Sequence, residues 1–297
     1  MIDCSWAFAQ YEQVRAHLPR MPMAGAATRI PDLAALADQF DVFLLDAFGV
    51  LNVGNMPVPG ASERISALQK AGKKVMVLTN GASFPAAKTL NKFERFGFRF
   101  APEDVISSRE ILAASLAGFP PVKWGAMAHE ASALPELGSD IFLLDDSKES
   151  YHRAEGFLLI GSQNWTEARQ LMLVESLQSH PRPVLVGNPD LVAPDEAGLS
   201  LNPGWFAHEL ARKTGLKPVF SGKPFGEIYD LAKQRYGDVP NSRVLMVGDT
   251  LHTDILGGAA AGIKTLLIES HGLFRGHDVA PFIAQSGISP DFIALTT

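Results

Sequence analysis

From residue 41 onward, short apolar runs alternate with stretches whose apolar residues recur at helical spacing. Val42-Phe43-Leu44-Leu45, Val75-Met76-Val77-Leu78 and Val244-Leu245-Met246-Val247 are continuous apolar runs of strand length. Helical patterns separate them. Pro57-Val58-Pro59-Gly60-Ala61 opens one that carries Ile65 and Leu68 and stops at Gly72. Phe84 to Phe96 reads as another, with Ala87, Leu90 and Phe93 on one face and Gly97 as its stop. Glu103 to Ile106 resumes extended structure. Beyond residue 220 the same alternation returns: a helix over Glu227 to Tyr236, the Val244 strand, a helix from Asp254 to Ala261, and a strand Thr265 to Ile268. Strand–helix–strand repetition of this kind predicts an α/β fold, a parallel sheet with crossover helices.

The interval from Thr79 to Lys223 is far longer than one crossover needs, and it has an alternation of its own. Ile141-Phe142-Leu143-Leu144, Phe157-Leu158-Leu159-Ile160 and Val184-Leu185-Val186 are strand-like. Helices are expected over Thr166 to Leu177 and near Trp205 to Lys213. This is enough for an inserted α/β domain of about a hundred residues. The expected organisation is a discontinuous core of residues 1–108 and 218–297, with a cap of residues 109–217 between. Ahead of the core, residues 6 to 18 pattern as a short amphipathic helix with Trp6, Phe8, Tyr11, Val14 and Leu18 as apolar positions. A Pro/Gly/Ala-rich link, Pro19 to Pro31, follows. That helix either packs on the main domain or serves as a partner-binding arm.

Chemistry-bearing residues sit just beyond these runs. Asp46 follows the first, Thr79 the second, and Gly248-Asp249 the third, with Asp254 five positions on. Lys223 stands in Ser221-Gly222-Lys223-Pro224, just after Pro218-Val219-Phe220. Ligands of open parallel sheets bind beyond the carboxyl ends of the strands. The four ends are therefore expected to converge on one site holding carboxylates, a hydroxyl and a cation, a set suited to phosphoryl chemistry.

Composition narrows the picture. The chain has 297 residues, 46% hydrophobic and 20% charged, as in ordinary globular proteins. A net charge of -6 recommends neither nucleic acid nor a membrane surface as partner. One cysteine, Cys4, excludes an intrachain disulfide and a Cys-based zinc site, and it reads as an incidental thiol. The first residues lack a signal-peptide pattern, and no apolar stretch reaches the ~18 residues of a membrane span. A cytoplasmic protein is expected.

Taken together, Asp46-Ala47-Phe48-Gly49-Val50-Leu51, Thr79-Asn80-Gly81, Gly222-Lys223-Pro224 and Gly248-Asp249 through Asp254 resemble the haloacid dehalogenase (HAD) superfamily. With the large insert and its Gly187-Asn188-Pro189-Asp190, the chain looks like the NagD or nitrophenylphosphatase branch. The resemblance implies a Rossmann-like core, an α/β cap, and magnesium-dependent hydrolysis of a small phosphorylated metabolite. Sugar phosphates and nucleotide-like esters are among the classes it suggests. It implies Asp46 as nucleophile, carrying an aspartyl-phosphate. Asp46, Asp249 and the main-chain carbonyl of Phe48 would hold magnesium, with Asp254 as a further or outer ligand. Thr79 and the backbone N–H groups of Asn80 and Gly81 would bind the phosphoryl group, and Lys223 would neutralise charge. On the cap, Asn188 and Asp190 would face the substrate. A second face of the cap could pair two chains.

One position breaks the pattern. Phosphatases of this superfamily generally carry a second Asp two residues after the nucleophile, as proton donor and base. Here that residue is Phe48, which can transfer no proton. Such help is typically worth ~10²–10⁴ in rate. Three readings stay open. The first is a phosphohydrolase, slow or restricted to good leaving groups, in which His252 or a cap histidine or acid replaces the missing group. The second is a haloacid dehalogenase, since those enzymes carry an aromatic residue there; the Gly-Asp-x-x-x-x-Asp string and the position of the insert argue against it. The third is a protein that binds a phosphorylated ligand with little or no turnover. Asn52 and Asn55 read as turn residues, Asp190 as a substrate contact or a turn residue, and Trp205 as cap packing rather than a stacking platform.

Overall fold

Val42–Leu45 is buried along its whole length. It pairs in parallel with Lys74–Thr79 on one side and with Val244–Gly248 on the other. These three strands are the centre of a seven-stranded sheet in the computed structural model, which describes residues 2–21, 25–138, 140–195 and 198–297. Val105–Ser107 extends the sheet at one edge; Lys264–Ile268, Phe292–Ala294 and Thr28–Arg29 extend it at the other. Residues alternate between the two faces. Phe43, Leu45, Val75, Val77, Leu245 and Val247 pack with Ile65 and Leu68 of the helix Ala61–Lys70. Val42, Leu44, Met76, Leu78, Val244 and Met246 pack with Ile228, Tyr229 and Ala232 of the helix Gly226–Tyr236. Burial on both faces explains why these strands read as unbroken apolar runs.

The chain leaves Val42–Leu45 toward one edge and comes back into the sheet on its other side at Val244. The point where connections diverge is where open α/β sheets bind ligands. In register, Leu45 lies beside both Val77 and Val247, so the loops that follow start from one level.

A second parallel sheet is built from Ile141–Leu143, Trp124–Met127, Gly156–Leu159, Val184–Val186 and Val219–Phe220, in that spatial order. The sequence pattern missed Trp124–Met127, where Gly125 interrupts the apolar run. The would-be Cβ of Gly125 meets Leu144 at 2.8 Å, so close strand–side-chain packing demands the glycine there. The last strand corrects an expectation. Val219 pairs with Leu185, which puts Val219–Phe220 in the second sheet rather than in a core segment beginning at residue 218. Lys223 therefore does not follow a strand of the larger sheet; it reaches the site from the second sheet through Ser221 and Gly222.

Three element boundaries in the core shift as well. The helix expected over 84–96 runs Ala86–Arg95, and Ala87 is exposed, so Phe93 is its one buried anchor. Pro102–Asp104 forms a tight turn before the strand Val105–Ser107, in place of extended structure from Glu103. Asp254 does not begin a regular α-helix. It lies inside a wide turn, Leu251–Ile255, in which Ile255 N–H donates to Thr250 O at 3.3 Å, before the helix Leu256–Ala260. Single wide turns of this kind recur at functional sites.

The N-terminal pattern folds as the helix Cys4–Val14, with Asp3 Oδ1 accepting from Trp6 N at 2.8 Å as its cap. It packs on the main body. Cys4, Ala7, Phe8 and Tyr11 are buried in one cluster with Leu251, Ile255 and Leu256 of the core and with Leu191 and Val192 of the insert. Residues 22–24 of the link that follows lie outside the described residues. No helix of the described residues is long and apolar enough to cross a membrane.

Phe8 is 3% exposed. Its replacement by Ala should lower unfolding free energy by about 3–5 kcal/mol, read from the shift of a urea unfolding midpoint at unchanged slope. A loss below ~1 kcal/mol would mean that the helix is only loosely attached.

Candidate active site

Asp46 is the first residue beyond its strand, and its N–H still donates to Val247 O at 2.8 Å. The next turn folds back on itself. Leu51 N–H donates to Ala47 O, and Asn52–Val53 pairs with Met56–Pro57. Asn52 is fully buried and donates from Nδ2 to Gly54 O, which gives it the turn role expected from sequence.

Carboxylate oxygens of Asp46, Asp249 and Asp254 lie within 4.8 Å of one another. The chain backbone allows this crowding through three glycines. A Cβ on Gly272 would stand 1.8 Å from Asp249 Oδ2, one on Gly49 2.6 Å from Asp249 Cβ, and one on Gly248 2.1 Å from Asp254 Cβ. Asp249 is held by Leu273 N–H at 2.7 Å and Thr250 Oγ1 at 3.0 Å. Asp254 turns back to accept from the N–H groups of Asp249 and Thr250, both at 3.1 Å, which shapes the wide turn that carries it.

Lys223 inserts its ammonium between two of these groups, 2.6 Å from Asp46 Oδ1 and 2.7 Å from Asp254 Oδ1. Its side chain is 1% exposed, as is that of Asp254, whereas Asp46 keeps 13% of its side chain open to the cavity. Burial works against the lysine's charge, but Asp254 and Asp46 outweigh it and hold the ammonium protonated above its ordinary value. One ammonium does not satisfy three carboxylates. Burial first, and then Asp254, push the Asp249 carboxyl up to about 7. Burial also drives Asp46 well above the ordinary carboxylate range, with Lys223 pulling the other way. The cluster thus has the composition of a cation site with one cation short.

Thr79, buried at the end of its strand, accepts Gly81 N–H on Oγ1 at 3.1 Å and keeps its hydroxyl proton free to donate. That corrects one expectation: the Gly81 N–H is taken up inside the loop instead of pointing at a ligand. Asn80 is a clamp. Its Oδ1 accepts from Lys223 N at 2.7 Å, and its Nδ2 donates to Lys223 O and to Asp190 Oδ1, both at 2.8 Å. Asn188 Oδ1 accepts Asp190 N–H at 2.9 Å. The two residues picked out on the insert are thereby tied to the Thr79 loop and to Lys223. Burial pushes the Asp190 carboxyl up to about 6, against the pull of Asn80 and Lys223.

His252 goes elsewhere. It is fully buried, its Nε2 is 2.6 Å from Glu12 Oε1, and its ring stacks on Tyr11 at 5.0 Å. Burial lowers it to about 4 despite Glu12. It faces the N-terminal helix, so it is not the replacement for the missing acid. Trp205 lies 5.0 Å from Trp6, packing at the junction of insert and N-terminal helix rather than presenting a platform to a ligand.

A cavity of about 490 Å³ joins these residues. Asp46, Phe48, Thr79, Asn80, Gly81, Asp249, Asn188 and Asp190 line it, together with Val192, Ala193 and Pro194 of the insert. Sequence reasoning missed part of its wall: Phe84, Lys88, Lys92 and Arg95 also line it. Their signal was present, since 88, 92 and 95 fall at i, i+4 and i+7 of one helix.

A parallel sheet with a carboxylate cluster, a buried lysine and a threonine at its switch point, roofed by an α/β insert, defines a hydrolase of the phosphatase class. The profile of the haloacid dehalogenase-like hydrolases matches residues 43–131, and that of HAD-hydrolase-like proteins matches residues 220–295. Glycerol-3-phosphate phosphatase of Gallus gallus is 29% identical, across 87% of this chain and 90% of its own length. 4-Nitrophenylphosphatase of Schizosaccharomyces pombe is 24% identical, across 82% and 90%. Among solved structures, a possible sugar phosphatase of the HAD superfamily from Cytophaga hutchinsonii superposes with a TM-score of 0.81 at 23% identity, covering 91% of this chain and 98% of that one. A glycerol phosphate phosphatase from Mycobacterium tuberculosis, in complex with magnesium, gives 0.68 at 25% identity, covering 87% and 76%. The chain belongs to the haloacid dehalogenase-like hydrolases, and its relatives include a 4-nitrophenylphosphatase.

Gly272→Ala tests the crowding directly. The added methyl group has to displace the Asp249 carboxylate, so divalent-cation affinity measured by calorimetry should fall at least ~10-fold. Unchanged affinity would mean that Asp249 is not a ligand.

Proposed function

We propose that the protein is a magnesium-dependent phosphatase of small phosphate monoesters that works through an aspartyl-phosphate on Asp46. The observation that carries this is the trio Asp46, Asp249 and Asp254 with a single ammonium between two of them, Asp46 and Asp249 opening on a cavity of about 490 Å³. That volume suits a small metabolite.

The donor set fits magnesium. It is all oxygen, it is buried, and it has more negative charge than Lys223 neutralises. Asp46, Asp249 and the main-chain carbonyl of Phe48 would hold the ion. Asp254 has Oδ2 committed to two backbone N–H groups and Oδ1 beside Lys223, so its part is to fix the loop and the lysine. When bound, magnesium supplies positive charge for the phosphoryl oxygens and keeps the carboxylates ionised.

Within that frame each side chain has a task. The partly open Asp46 carboxylate attacks phosphorus and takes the phosphoryl group as the ester oxygen leaves; water then cleaves the acyl phosphate and regenerates Asp46. Lys223, held rigidly from two sides, stabilises charge on Asp46 and the phosphoryl oxygens. The Thr79 hydroxyl donates to one of those oxygens. Both are positioned before substrate arrives, which is where such sites gain most of their rate. The leaving oxygen finds no carboxylic acid at Phe48. The reading therefore includes a preference for esters whose leaving groups need no proton, such as aryl and acyl phosphates.

Phosphate release from 4-nitrophenyl phosphate, acetyl phosphate and sugar phosphates, with magnesium and with chelator, is the experiment. Release should require the metal and fall at least ~10⁴-fold in Asp46→Asn, with the variant folded. Activity surviving in Asp46→Asn would remove the nucleophile; no release from any substrate would favour ligand binding without turnover, the reading that rests on Phe48. Phe48→Asp should raise turnover of alkyl phosphates by ~10–100-fold, measured as the ratio of alkyl to aryl kcat. A folded variant with an unchanged ratio would mean that proton transfer does not limit this enzyme.

A further inference from the structure

The cavity lining mixes two kinds of group. Asp46, Asp249 and Thr79 belong to it, and so does the helix Ala86–Arg95, which presents Lys88, Lys92 and Arg95 along one face. In a chain of net charge -6 this is a local reversal of sign. The two ammonium groups rest on aromatic rings: Lys88 Nζ lies 3.4 Å from the centroid of Phe84, and Lys92 Nζ 4.8 Å from that of Phe48. Arg95 stands one turn beyond Lys92. Among the described residues, no carboxylate is within ion-pair distance of any of the three. The helix's own Glu94 pairs with Arg99 instead.

Three like charges at i, i+4 and i+7 repel along the helix and weaken it. Burial, with Arg95 adding to it, lowers the Lys92 ammonium below its ordinary value, the mark of a cation lacking a counter-charge. In the phosphatase reading the phosphoryl group sits against Asp46, Lys223 and Thr79, which leaves Lys88, Lys92 and Arg95 without an anion of their own. Val192, Ala193 and Pro194 add apolar surface to the lining. An anion carried on the leaving group would satisfy the cations.

We propose that Lys92, with Lys88 and Arg95, forms a subsite for a second anionic group on the substrate, a carboxylate or a second phosphoryl group borne by the leaving-group alcohol. This rests on the phosphatase reading above and narrows it: the substrate is a phosphate ester with charge at both ends. Phe48 has a second part in this arrangement. It supplies the ring face that seats the Lys92 ammonium at the cavity wall.

The test uses binding, so that it does not depend on turnover. The full-length Asp46→Asn protein, with magnesium, is titrated calorimetrically with two matched pairs. 3-Phosphoglycerate differs from glycerol 3-phosphate by a carboxylate in place of an alcohol; fructose 1,6-bisphosphate differs from fructose 6-phosphate by a second phosphate. The charged member of at least one pair should bind about tenfold tighter, and which pair shows it separates carboxylate from phosphate. Lys92→Met in the same background should shrink that preference to about twofold or less, and Lys92→Arg should restore it. Equal binding within both pairs, or a preference that survives Lys92→Met, overturns the subsite while leaving the phosphatase reading standing. Failure of all four esters to bind overturns both.

Discussion

The buried ammonium of Lys223 is the constraint on which the rest of the structure depends. An unpaired charge in that position would cost several kcal/mol. Asp46 and Asp254 must therefore stay within contact of it, and they come from different strands of one sheet. The lysine itself arrives from the other sheet, held by Asn80 through both its N–H and its carbonyl. One ion-paired cation thus ties together both sheets, the strand that ends at Asp46 and the wide turn at Asp254. The arrangement of the charged cluster and the docking of the insert on the core are the same set of bonds.

Most of the fold could be read from the chain because the central strands are buried on both faces, and such strands announce themselves as unbroken apolar runs. One edge could not. Thr28–Arg29 is two exposed residues, and its place in the sheet comes from pairing with Phe292–Ala294, a partner some 260 residues away. The site divides in the same way. Asp46, Thr79, Asp249, Asp254 and Lys223 are brought together because strand ends and a short link put them there. The directions of side chains were not legible: that His252 turns away to Glu12, or that Asn80 grips the lysine backbone, depends on contacts with residues distant in sequence. The cationic helix face carried a signal in its spacing, which a search confined to strand ends passes over.

Phe48 changes the character of the cavity wall beside Asp46. A carboxylic acid there would exchange protons and repel anions; the ring does neither, and it offers its face to Lys92. What looks from the sequence like a missing acid is, in three dimensions, a seat for a cation.

Tyr11 has a consequence for motion. Its hydroxyl oxygen accepts the N–H of Leu191, on the loop that carries Asn188 and Asp190, at 3.1 Å, while the same helix lies on the turn holding Asp254. Swinging the insert away from the core would separate surfaces that this helix spans. The helix Cys4–Val14 is placed like a hinge pin driven through both leaves of a door: any parting of insert and core has to flex around it, or first draw it out.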